Sequence, residues 1–424
     1  MSAAQMTLVR SLVAALVLTV PAAAAVLPGF RIETLVRAEG FVSSVATDSQ
    51  GTIYFTTTDG WIHRVDGIAG TAAQATRIAS VHTHPIGNGG LLGMALVDDH
   101  TAVIHYTVFD ERTGEPTNIL DDVVSRIDLA TGAETVVHSF VCDIRQRLDG
   151  ASPEHHGGNL TVAPDGSILL GIGDYGTHVI AQDKAWNAGK IWKIDPQGNT
   201  TQWARGMRNP YDLAWDPDLG RIVVSDNGPD AGDELNVIDS GANCGWPRTY
   251  GNEPPLLGAV APSYVFADTV APTGIARLDG ANPMLRRGYL LGAFVTRAIY
   301  YFPTPSSAPT AIVNDFDEFV IDVTQAANGD VLFATAGMNG TAIHRLRVPP
   351  LGDCNGDGFT DYHDVLPLMR EIADGDDRAT IAAQAGTNSG SWGCDANADG
   401  TIDAKDLQTL TTLIRSRRRS VRAQ

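Results

Sequence analysis

Basic residues are scarce in this chain of 424 residues: 30 lysines and arginines stand against 49 aspartates and glutamates, a formal net charge of −19. Nucleic-acid binding depends on clustered cations that neutralise phosphates, so the deficit argues against a nucleic-acid partner. One basic run occurs at residues 415–422. It has two interpretations: a solvated helix end followed by a frayed tail at residues 417–424, or a contact with an anionic envelope surface.

Long apolar runs are also lacking, so no stretch of the sequence is predicted to be a transmembrane segment. The apolar run at residues 11–20 is too short, and it stands between a polar lead that ends at Arg10 and the small residues at 21–25. This order is typical of a secretory signal peptide, which we predict to be residues 1–25. The mature protein is then expected to be secreted, periplasmic or held at the cell envelope.

Cysteine is rare, and the four in the chain are Cys142, Cys244, Cys354 and Cys394. Export to an oxidising compartment permits disulfides. Cys354 and Cys394 each lie beside the start of one of two similar acidic loops, so we predict that they pair. For Cys142 and Cys244 both a disulfide and two buried thiols remain open.

Helical periodicity is scarce before residue 350, and β-hairpin signals recur instead. Each signal is a pair of apolar strands joined by a turn rich in Asp, Asn and Gly. The hairpins occupy residues 45–57, 160–174, 213–226 and 323–337. Their repetition, with long loops between them, predicts an all-β fold and favours a β-propeller over a single sandwich. Spacing alone does not give the number of blades.

Two consecutive prolines, Pro349 and Pro350, mark a boundary, because proline lacks an N–H donor and resists both helix and sheet. The sequence after them turns acidic and acquires helical periodicity. We therefore predict a propeller over residues 30–348, followed by a small α-helical module at residues 351–416.

Two acidic loops of the predicted C-terminal module have the spacing of a calcium site. In each, oxygen-bearing side chains stand at positions 1, 3, 5, 9 and 12, a glycine at position 6 permits a sharp turn, and the position-7 residue offers a carbonyl. The ligands predicted for the first loop are Asp353, Asn355, Asp357, Phe359, Asp361 and Asp364, with Gly358 at position 6. Those predicted for the second are Asp395, Asn397, Asp399, Thr401, Asp403 and Asp406, with Gly400 at position 6.

The paired loops differ from ordinary EF-hands, since each ends on aspartate and has a helix after it but not clearly before it. They resemble the dockerin type I module. This resemblance implies calcium binding and a cohesin-type protein partner that contacts the helix faces. The Tyr362-His363 pair of one repeat, however, differs from Ala404-Lys405 of the other. A calcium-clamped stability cap or an envelope-retention module therefore stays open beside cohesin binding.

The densest motifs of the chain lie between residues 155 and 247, where they read HHGGN, GIGD, MRNP, NGPD and GANCGWP. Loops on a rigid scaffold commonly carry binding and catalytic groups. In order and interval these motifs resemble the soluble quinoprotein glucose/sorbosone dehydrogenases. The resemblance implies a six-bladed propeller, a small aldose sugar as substrate, and pyrroloquinoline quinone (PQQ) and calcium as cofactors.

The resemblance also implies roles for individual residues. His155 falls on the general base that takes the hydroxyl proton, and Asp174 falls on the carboxylate that orients this histidine. Arg208 and Asn209 fall on residues that contact the quinone. Asn88, within NGGLLG, falls where a longer Gln or Glu usually reaches the cofactor.

Five further positions fall on family residues that bind calcium or the carboxylates of PQQ. The backbone carbonyls of Gly228 and Pro229 fall on calcium ligands. PQQ has three carboxylates, which the family neutralises with a lysine and two arginines. In this chain the three cationic positions fall on Val295, Phe319 and Ile321.

Three functions remain open from the sequence. The first is an exported sugar dehydrogenase that uses His155 as base. The second is a propeller of the same ancestry that has lost PQQ and acts as a binding or scaffold protein, anchored through its dockerin-like module. The third is hydrolase-type metal chemistry on a calcium at Gly228 and Pro229. No P-loop, nucleophile elbow or dinucleotide fingerprint points elsewhere.

Overall fold

The fold is taken from a computed structural model. It describes residues 25–27, 30–66, 74–111, 119–142, 154–280, 285, 287–338, 340–348, 350–357, 359–374 and 392–421. Residues 1–24 of the predicted signal peptide, Gly358 and tail residues 422–424 lie outside these ranges.

Six antiparallel sheets contain the strands of the described residues. Blade 1 consists of β3 (Val42–Thr47), β4 (Ile53–Thr57), β5 (Trp61–Asp66) and β6 (Gln74–Ser80). Blade 2 consists of β7 (Leu91–Leu96), β8 (Thr101–Phe109), β9 (Ile119–Asp128) and β10 (Glu134–Val141). Blade 3 consists of β11 (Leu160–Val162), β12 (Ile168–Ile172), β13 (Lys190–Ile194) and β14 (Thr200–Arg205), with β18 (Ala242–Asn243) added in parallel.

The other three blades follow the same order from inside to outside. Blade 4 consists of β15 (Pro210–Asp216), β16 (Arg221–Asp226), β17 (Glu234–Ile238) and β19 (Tyr264–Val265). Blade 5 consists of β20 (Pro272–Leu278), β21 (Gly288–Ala293), β22 (Ala298–Phe302) and β23 (Thr310–Asn314), with β1 (Ala25–Val26) at its edge. Blade 6 consists of β24 (Phe319–Gln325), β25 (Val331–Gly337), β26 (Gly340–Arg347) and β2 (Arg31–Ala38).

The first strands of the blades form a closed ring, in which β3, β7, β11, β15, β20 and β24 each contact the next and β24 returns to β3. The ring confirms the predicted propeller and gives it six blades. Because β2 pairs with β26 from Arg31↔Arg347 to Ala38↔Thr341, the start of the described chain completes the last blade. This pairing covers an edge that would otherwise expose unpaired N–H and C=O groups.

The core of the propeller lies between neighbouring blades. Val103 and Val124 of blade 2, for example, pack with Ile168, Leu170 and Ile172 of blade 3 in one buried cluster. Strands that are covered on both faces become continuous apolar runs, as in β12, where all five residues are buried. This packing explains why the sequence shows runs of Ile, Leu and Val where one-sided sheets would alternate.

The predicted hairpin turns are present at their expected positions. In the turn between β11 and β12, Ser167 N donates to Asp165 Oδ1 at 3.0 Å, and Gly166 has a φ of 78°. A left-handed residue closes such a turn at little cost only when it is glycine. The Asp-Gly signal in the sequence therefore reflects a backbone requirement.

The buried thiols belong to two different clusters. Cys142 packs between blades 2 and 3, whereas Cys244 packs with residues of blades 3 and 4. A disulfide between them, the weaker of the two predicted pairings, is therefore wrong, and the buried-thiol alternative is correct. The pairing predicted for Cys354 and Cys394 is confirmed.

The C-terminal module consists of two helices and their preceding loops. Helix α1 spans Val365–Asp374 and follows a short 3₁₀ turn at Tyr362–Asp364. Helix α2 spans Ala404–Val421, and another 3₁₀ turn lies at Trp392–Cys394. Leu368 and Leu410 pack from the two helices onto the disulfide in a small core of their own. Among the described residues, no helix is both long and apolar enough to span a membrane.

Near the propeller axis, a buried carboxylate connects the last blade to the first. Asp322, on β24, accepts hydrogen bonds from Val45 N at 2.7 Å and Ser44 Oγ at 3.0 Å, both on β3. All three groups are almost completely removed from water. A buried donor that loses its acceptor costs about 1–3 kcal/mol.

The substitution Asp322→Ala is therefore expected to lower the free energy of unfolding of the propeller by about 2 kcal/mol or more, because it leaves the Val45 N–H without its acceptor. Urea unfolding followed by circular dichroism would measure the change. The control is Asp317→Ala, an exposed aspartate two residues before the same strand, whose effect should stay within about 0.5 kcal/mol. Equal effects of the two variants would contradict the role given to Asp322.

Candidate active site and calcium loops

The sequence motifs meet at one end of the propeller because of strand direction. In an antiparallel blade the first strand begins at the end where the second strand finishes. The HHGGN loop enters β11 and the GIGD loop leaves β12, while MRNP enters β15 and NGPD leaves β16. The four loops therefore share one end of blades 3 and 4.

His155 and Asp174 form the centre of the site. His155 Nδ1 lies 2.6 Å from Asp174 Oδ1, and the aspartate is completely buried while the histidine side chain is 12% exposed. Because the carboxylate accepts, the proton of a neutral His155 stays on Nδ1. Its Nε2 is then a free acceptor, which is the form that a general base requires.

Glycines allow the two loops to approach so closely. A Cβ on Gly157 would lie 2.1 Å from Gly171 O, and one on Gly173 would lie 2.2 Å from His155 O. His155 itself has a φ of 56°, in the left-handed region that is uncommon for side-chain-bearing residues. The motifs HHGG and GIGD thus encode a backbone contact as well as the polar groups.

Two residues that the sequence did not single out complete the surroundings of Asp174. Trp246 Nε1 donates to Asp174 Oδ2 at 2.8 Å, and His178 Nδ1 lies 2.8 Å from the same oxygen. Gly176 N donates to Oδ1 at 2.9 Å. Burial alone would raise the pKa of Asp174, but the hydrogen bonds from His155, His178 and Trp246 bring it below the ordinary value. The carboxylate is therefore ionised at neutral pH.

A second buried carboxylate supports the same loop from beneath. Asp122, on β9, accepts from Tyr175 Oη at 2.6 Å and lies 3.2 Å from His156 Nδ1 and 3.1 Å from His105 Nε2. Burial would raise its pKa, but the charge of His156 and the hydrogen bonds of both histidines hold it well below the usual range. His156 and Tyr175 follow His155 and Asp174 in the chain, so Asp122 fixes both motif loops.

Arg208 and Asn209 join blade 4 to this network. Arg208 O accepts from Asp174 N at 2.8 Å, and Asn209 Oδ1 accepts from Gly157 N at 3.1 Å. Arg208 Nη1 donates to Asn227 O at 3.0 Å, while its buried Nε has no hydrogen-bond partner among the described residues. The guanidinium borders a cavity that Trp246 also lines. It thus presents an unsatisfied donor to that space.

The NGPD loop is held in shape by Asp233. Its Oδ1 accepts from Gly228 N at 2.9 Å, and its Oδ2 accepts from Val270 N and Ala271 N, each at 2.8 Å. Across the described residues, no hydrogen bond ends on the carbonyl oxygens of Gly228 and Pro229. Two backbone oxygens are thus left available on a braced loop.

Buried acids surround the same cavity. Asp226 accepts from Asn209 N at 2.7 Å and Arg208 N at 3.1 Å. Burial, reinforced by the charge of Glu234, raises the pKa of Asp226 to about 8. Burial also raises the pKa of Glu234 itself. Such a concentration of carboxyl groups and carbonyls is chemically suited to a hard cation.

Comparison with known proteins places the propeller in a family. A family model described as Glucose / Sorbosone dehydrogenase matches residues 41–345. The chain belongs to the glucose/sorbosone dehydrogenase family. A second model, the Dockerin type I domain, matches residues 351–415.

Individual relatives are distant. Aldose sugar dehydrogenase YliI of Escherichia coli is 23% identical over 308 residues, which cover 65% of this chain and 81% of that protein. The uncharacterized protein slr1608 of Synechocystis sp. is 28% identical over 230 residues, or 45% of this chain, and the match spans only 55% of its length. The PQQ-bound aldose sugar dehydrogenase of Streptomyces coelicolor has the same fold, with a TM-score of 0.61 and 22% identity over 76% of this chain and all of that one (100%).

Asn88 is not joined to the rest of the site. It lies on the loop that enters β7, at the same end of the propeller, but its side chain is exposed. No hydrogen bond among the described residues connects it to His155, Asp174 or Arg208. Its predicted contact with the cofactor stays a prediction.

Apolar side chains occupy the three positions where the family has cations, and each of the three lies in different surroundings. Val295 is 49% exposed after β21, and Phe319 stacks on Phe294 with ring centroids 4.2 Å apart. Ile321 is 1% exposed and packs in the cluster between blades 6 and 1. These side chains offer neither charge nor hydrogen bonds to an anionic ligand.

The two acidic loops of the C-terminal module have matching internal hydrogen bonds. Asn355 N donates to Asp364 Oδ1 at 3.1 Å, and Asn397 N donates to Asp406 Oδ1 at 3.0 Å. Both position-12 aspartates are fully buried. The sequence repeat is therefore also a repeat of conformation.

The aspartate at position 1 of each loop accepts a further hydrogen bond that the two loops have in common. Asp353 Oδ1 accepts from Asp357 N, and Asp395 Oδ1 accepts from Asp399 N, each at 3.0 Å. These contacts turn the chain back on itself, so that Asp364 is influenced by the charges of Asp357 and Asp361, and Asp395 by those of Asp399 and Asp406. Since like charges repel at short range, such a loop is suited to a divalent cation.

Removal of calcium is expected to loosen this module, because its carboxylates then repel one another without a counterion. Hydrogen exchange read by mass spectrometry should show faster exchange at residues 353–364 and 395–406 after chelation, with residues 53–66 of blade 1 as the unchanged reference. Asp364→Asn, at position 12, should reproduce the loss in the first loop, whereas Asp361→Asn, at the more exposed position 9, should have a smaller effect. Exchange rates that are the same with and without calcium would contradict the predicted sites.

Proposed function

We propose that the chain is an exported, PQQ- and calcium-dependent aldose dehydrogenase in which His155 removes the proton of the anomeric hydroxyl. Membership of a family of sugar dehydrogenases supports the class of reaction. The observation that carries the proposal is the 2.6 Å contact between His155 Nδ1 and the buried Asp174, which leaves Nε2 as an acceptor. Export rests on the signal-peptide pattern of residues 1–25.

Some residues around the cavity have the chemistry that the polar side of such a cofactor requires, although the cavity itself measures only about 10 Å³, the space of one water molecule. Arg208 offers a buried Nε without a partner, and the carbonyls of Gly228 and Pro229 are available to an ion. A Cβ on Gly228 would lie 2.4 Å from Gly232 O, so glycine is needed for the tight loop that presents these oxygens. Arg208 and Asn209 would contact the quinone, and Gly228 and Pro229 would hold the calcium.

The chemistry divides between cofactor and protein. When bound, PQQ would accept the hydride from the anomeric carbon, and calcium would polarise the PQQ as a Lewis acid. His155 takes the hydroxyl proton on Nε2, and the adjacent Asp174 carboxylate stabilises the imidazolium that results. Trp246 and His178 hold the carboxylate in place. Because the histidine is only 12% exposed, little bulk water competes for its Nε2.

A second candidate function is a propeller that binds ligands without redox chemistry. Val295, Phe319 and Ile321 favour it, since bidentate arginine contacts to carboxylates are strong and apolar side chains cannot replace them. Under this alternative the His155–Asp174 pair would be an ancestral feature. For the third possibility from the sequence, hydrolase-type metal chemistry, the cavity offers the thiol of Cys244, but this thiol is buried and burial raises its pKa, which disfavours the reactive thiolate.

The C-terminal module is proposed to bind calcium and to attach the propeller to a cohesin-type protein. The match to the dockerin type I domain supports this role. Helix α2 leaves Lys405 exposed beside its loop, while the other repeat exposes His363 at the matching position. The two helix faces therefore differ in chemistry, which is compatible with a single preferred orientation on a partner or with a purely stabilising cap.

Cofactor retention separates the two candidate functions. We expect the full chain with calcium to retain one PQQ per molecule after gel filtration and to reduce a dye when an aldose is added. Arg208→Gln should lower PQQ affinity at least about tenfold, because it removes a charged donor to the cofactor. Arg221→Gln, an exposed arginine of the same blade, is the matched control and should bind normally. If PQQ elutes freely at micromolar concentration, the binding-protein alternative holds.

The role of His155 is tested by turnover. His155→Ala is expected to lower kcat by about 10²-fold or more, the scale of general base catalysis, with PQQ retention unchanged. Asp174→Asn should also lower kcat, because an amide no longer fixes the Nδ1 proton or stabilises the imidazolium. His100→Ala, an exposed histidine on the β7–β8 turn, serves as control. Unchanged turnover in His155→Ala would mean that the base is another residue.

A further inference from the structure

Three metal-ligating side chains converge outside the candidate active site, on blade 2. The Nε2 atoms of His82 and His84 each lie 2.6 Å from Glu111 Oε1, and one ligand atom from each of the three residues lies within 4.8 Å of the other two. The histidines stand on the loop between β6 and β7, and the glutamate follows β8. These loops lie at the same end of the propeller as the loops of His155 and Asp174.

Local chain geometry aims both histidines in the same direction. Thr83, between them, is buried and donates from Oγ1 to Thr107 O at 2.6 Å. Alternate side chains of an extended segment point to opposite sides, so His82 and His84 both point away from the side that Thr83 takes. Gly90 N donates to Thr107 Oγ1 at 2.8 Å, which fixes the far end of the loop to the same strand.

The hydrophobic core supports the cluster from below. The His84 ring packs edge-on against Phe109 with ring centroids 5.7 Å apart. Phe109 is 5% exposed and belongs to the buried cluster that includes Ile172 and Tyr175 of blade 3. One imidazole is thus held by a rigid part of the fold, next to the blade that carries the candidate base.

Stability alone does not explain the convergence on Glu111. The side chains of His82 and Glu111 are 78% and 47% exposed, and ion pairs in such surroundings contribute little to stability. Two imidazoles directed at one carboxylate oxygen are instead the donor set of a metal site.

We propose that His82, His84 and Glu111 bind a divalent first-row transition-metal ion, with zinc as the reference case. Imidazole nitrogens bind such ions at about 2.0–2.1 Å, which places neighbouring donors roughly 3.3 Å apart around a tetrahedral ion. The exposed Glu111 side chain needs to withdraw by less than about 1 Å to reach that spacing. Imidazole ligands separate this site from the all-oxygen calcium loops of the C-terminal module.

Three protein ligands leave at least one coordination position open to solvent. That position would take water or an oxygen or nitrogen donor of a small ligand. The ion would add positive charge to one end of the propeller, in a chain whose formal net charge is −19. Its binding does not depend on PQQ or on sugar oxidation.

The test uses the full chain without an affinity tag, saturated with calcium so that the C-terminal loops are occupied. Titration with Zn²⁺ by calorimetry is expected to give one ion per chain, and Co²⁺ should give the visible absorption of an imidazole-bound ion. His84→Gln and Glu111→Gln should each weaken Zn²⁺ binding at least about tenfold, since each removes one of three ligands. His100→Gln removes an exposed histidine from the opposite end of the same blade and should change nothing.

Several results would overturn the site. The proposed site is contradicted if Zn²⁺ does not bind, if calcium abolishes Zn²⁺ binding, or if His100→Gln weakens Zn²⁺ binding as much as His84→Gln does. Circular dichroism of every variant checks that the fold is intact, and His82→Gln, whose side chain is mostly exposed, supplies a variant that cannot disturb the core. Loss of dehydrogenase activity with normal Zn²⁺ binding would count against the proposed function alone.

Discussion

The antiparallel order of the strands within each blade is the constraint on which the rest of the molecule depends. It brings the entry to each first strand and the exit from each second strand to one end of the ring. Residues that are far apart in the chain meet there, as Asp174 and Trp246 do. The same rule brings His82 and His84 to Glu111. A propeller therefore collects functional groups by topology, and each blade contributes two loops.

The buried carboxylates at that end of the propeller fall into two pairs whose pKa values shift in opposite directions. Asp174 and Asp122 are surrounded by imidazole, indole and phenol donors, and their pKa values are lowered despite burial. Asp226 and Glu234 accept fewer hydrogen bonds, and burial raises their pKa values, reinforced by the charge of Glu234 at Asp226 and by that of Asp233 at Glu234. The first pair orients histidines and needs a permanent charge. The second pair surrounds a space whose chemistry favours a cation, so under the proposed function the first pair would serve proton transfer and the second pair the calcium ion.

The sequence predicts local features of this structure well. Hairpin turns, the repeated conformation of the two acidic loops and the Cys354–Cys394 pair follow from spacing, because each depends on neighbouring residues or on an evident repeat. Trp246, His178 and Asp122 escaped prediction, although GANCGWP is a conspicuous motif. Their roles arise from contacts between loops up to 72 positions apart, and a single sequence does not specify which loops meet. Cys142 and Cys244 were ambiguous for the same reason, since burial in separate clusters leaves no local signal.

The apolar side chains at Val295, Phe319 and Ile321 do not disturb the His155 network, and this independence has a physical origin. The histidine is fixed through Asp174 and the glycines of its own blade, whereas these three positions belong to blades 5 and 6. Phe319 and Ile321 also serve the packing between blades 6 and 1. The positions where the family neutralises the cofactor's carboxylates and the residues that fix His155 therefore lie on separate parts of the ring. A propeller of this kind can lose the cations of blades 5 and 6 while the contact between His155 and Asp174 stays in place, so this contact is by itself no measure of cofactor affinity.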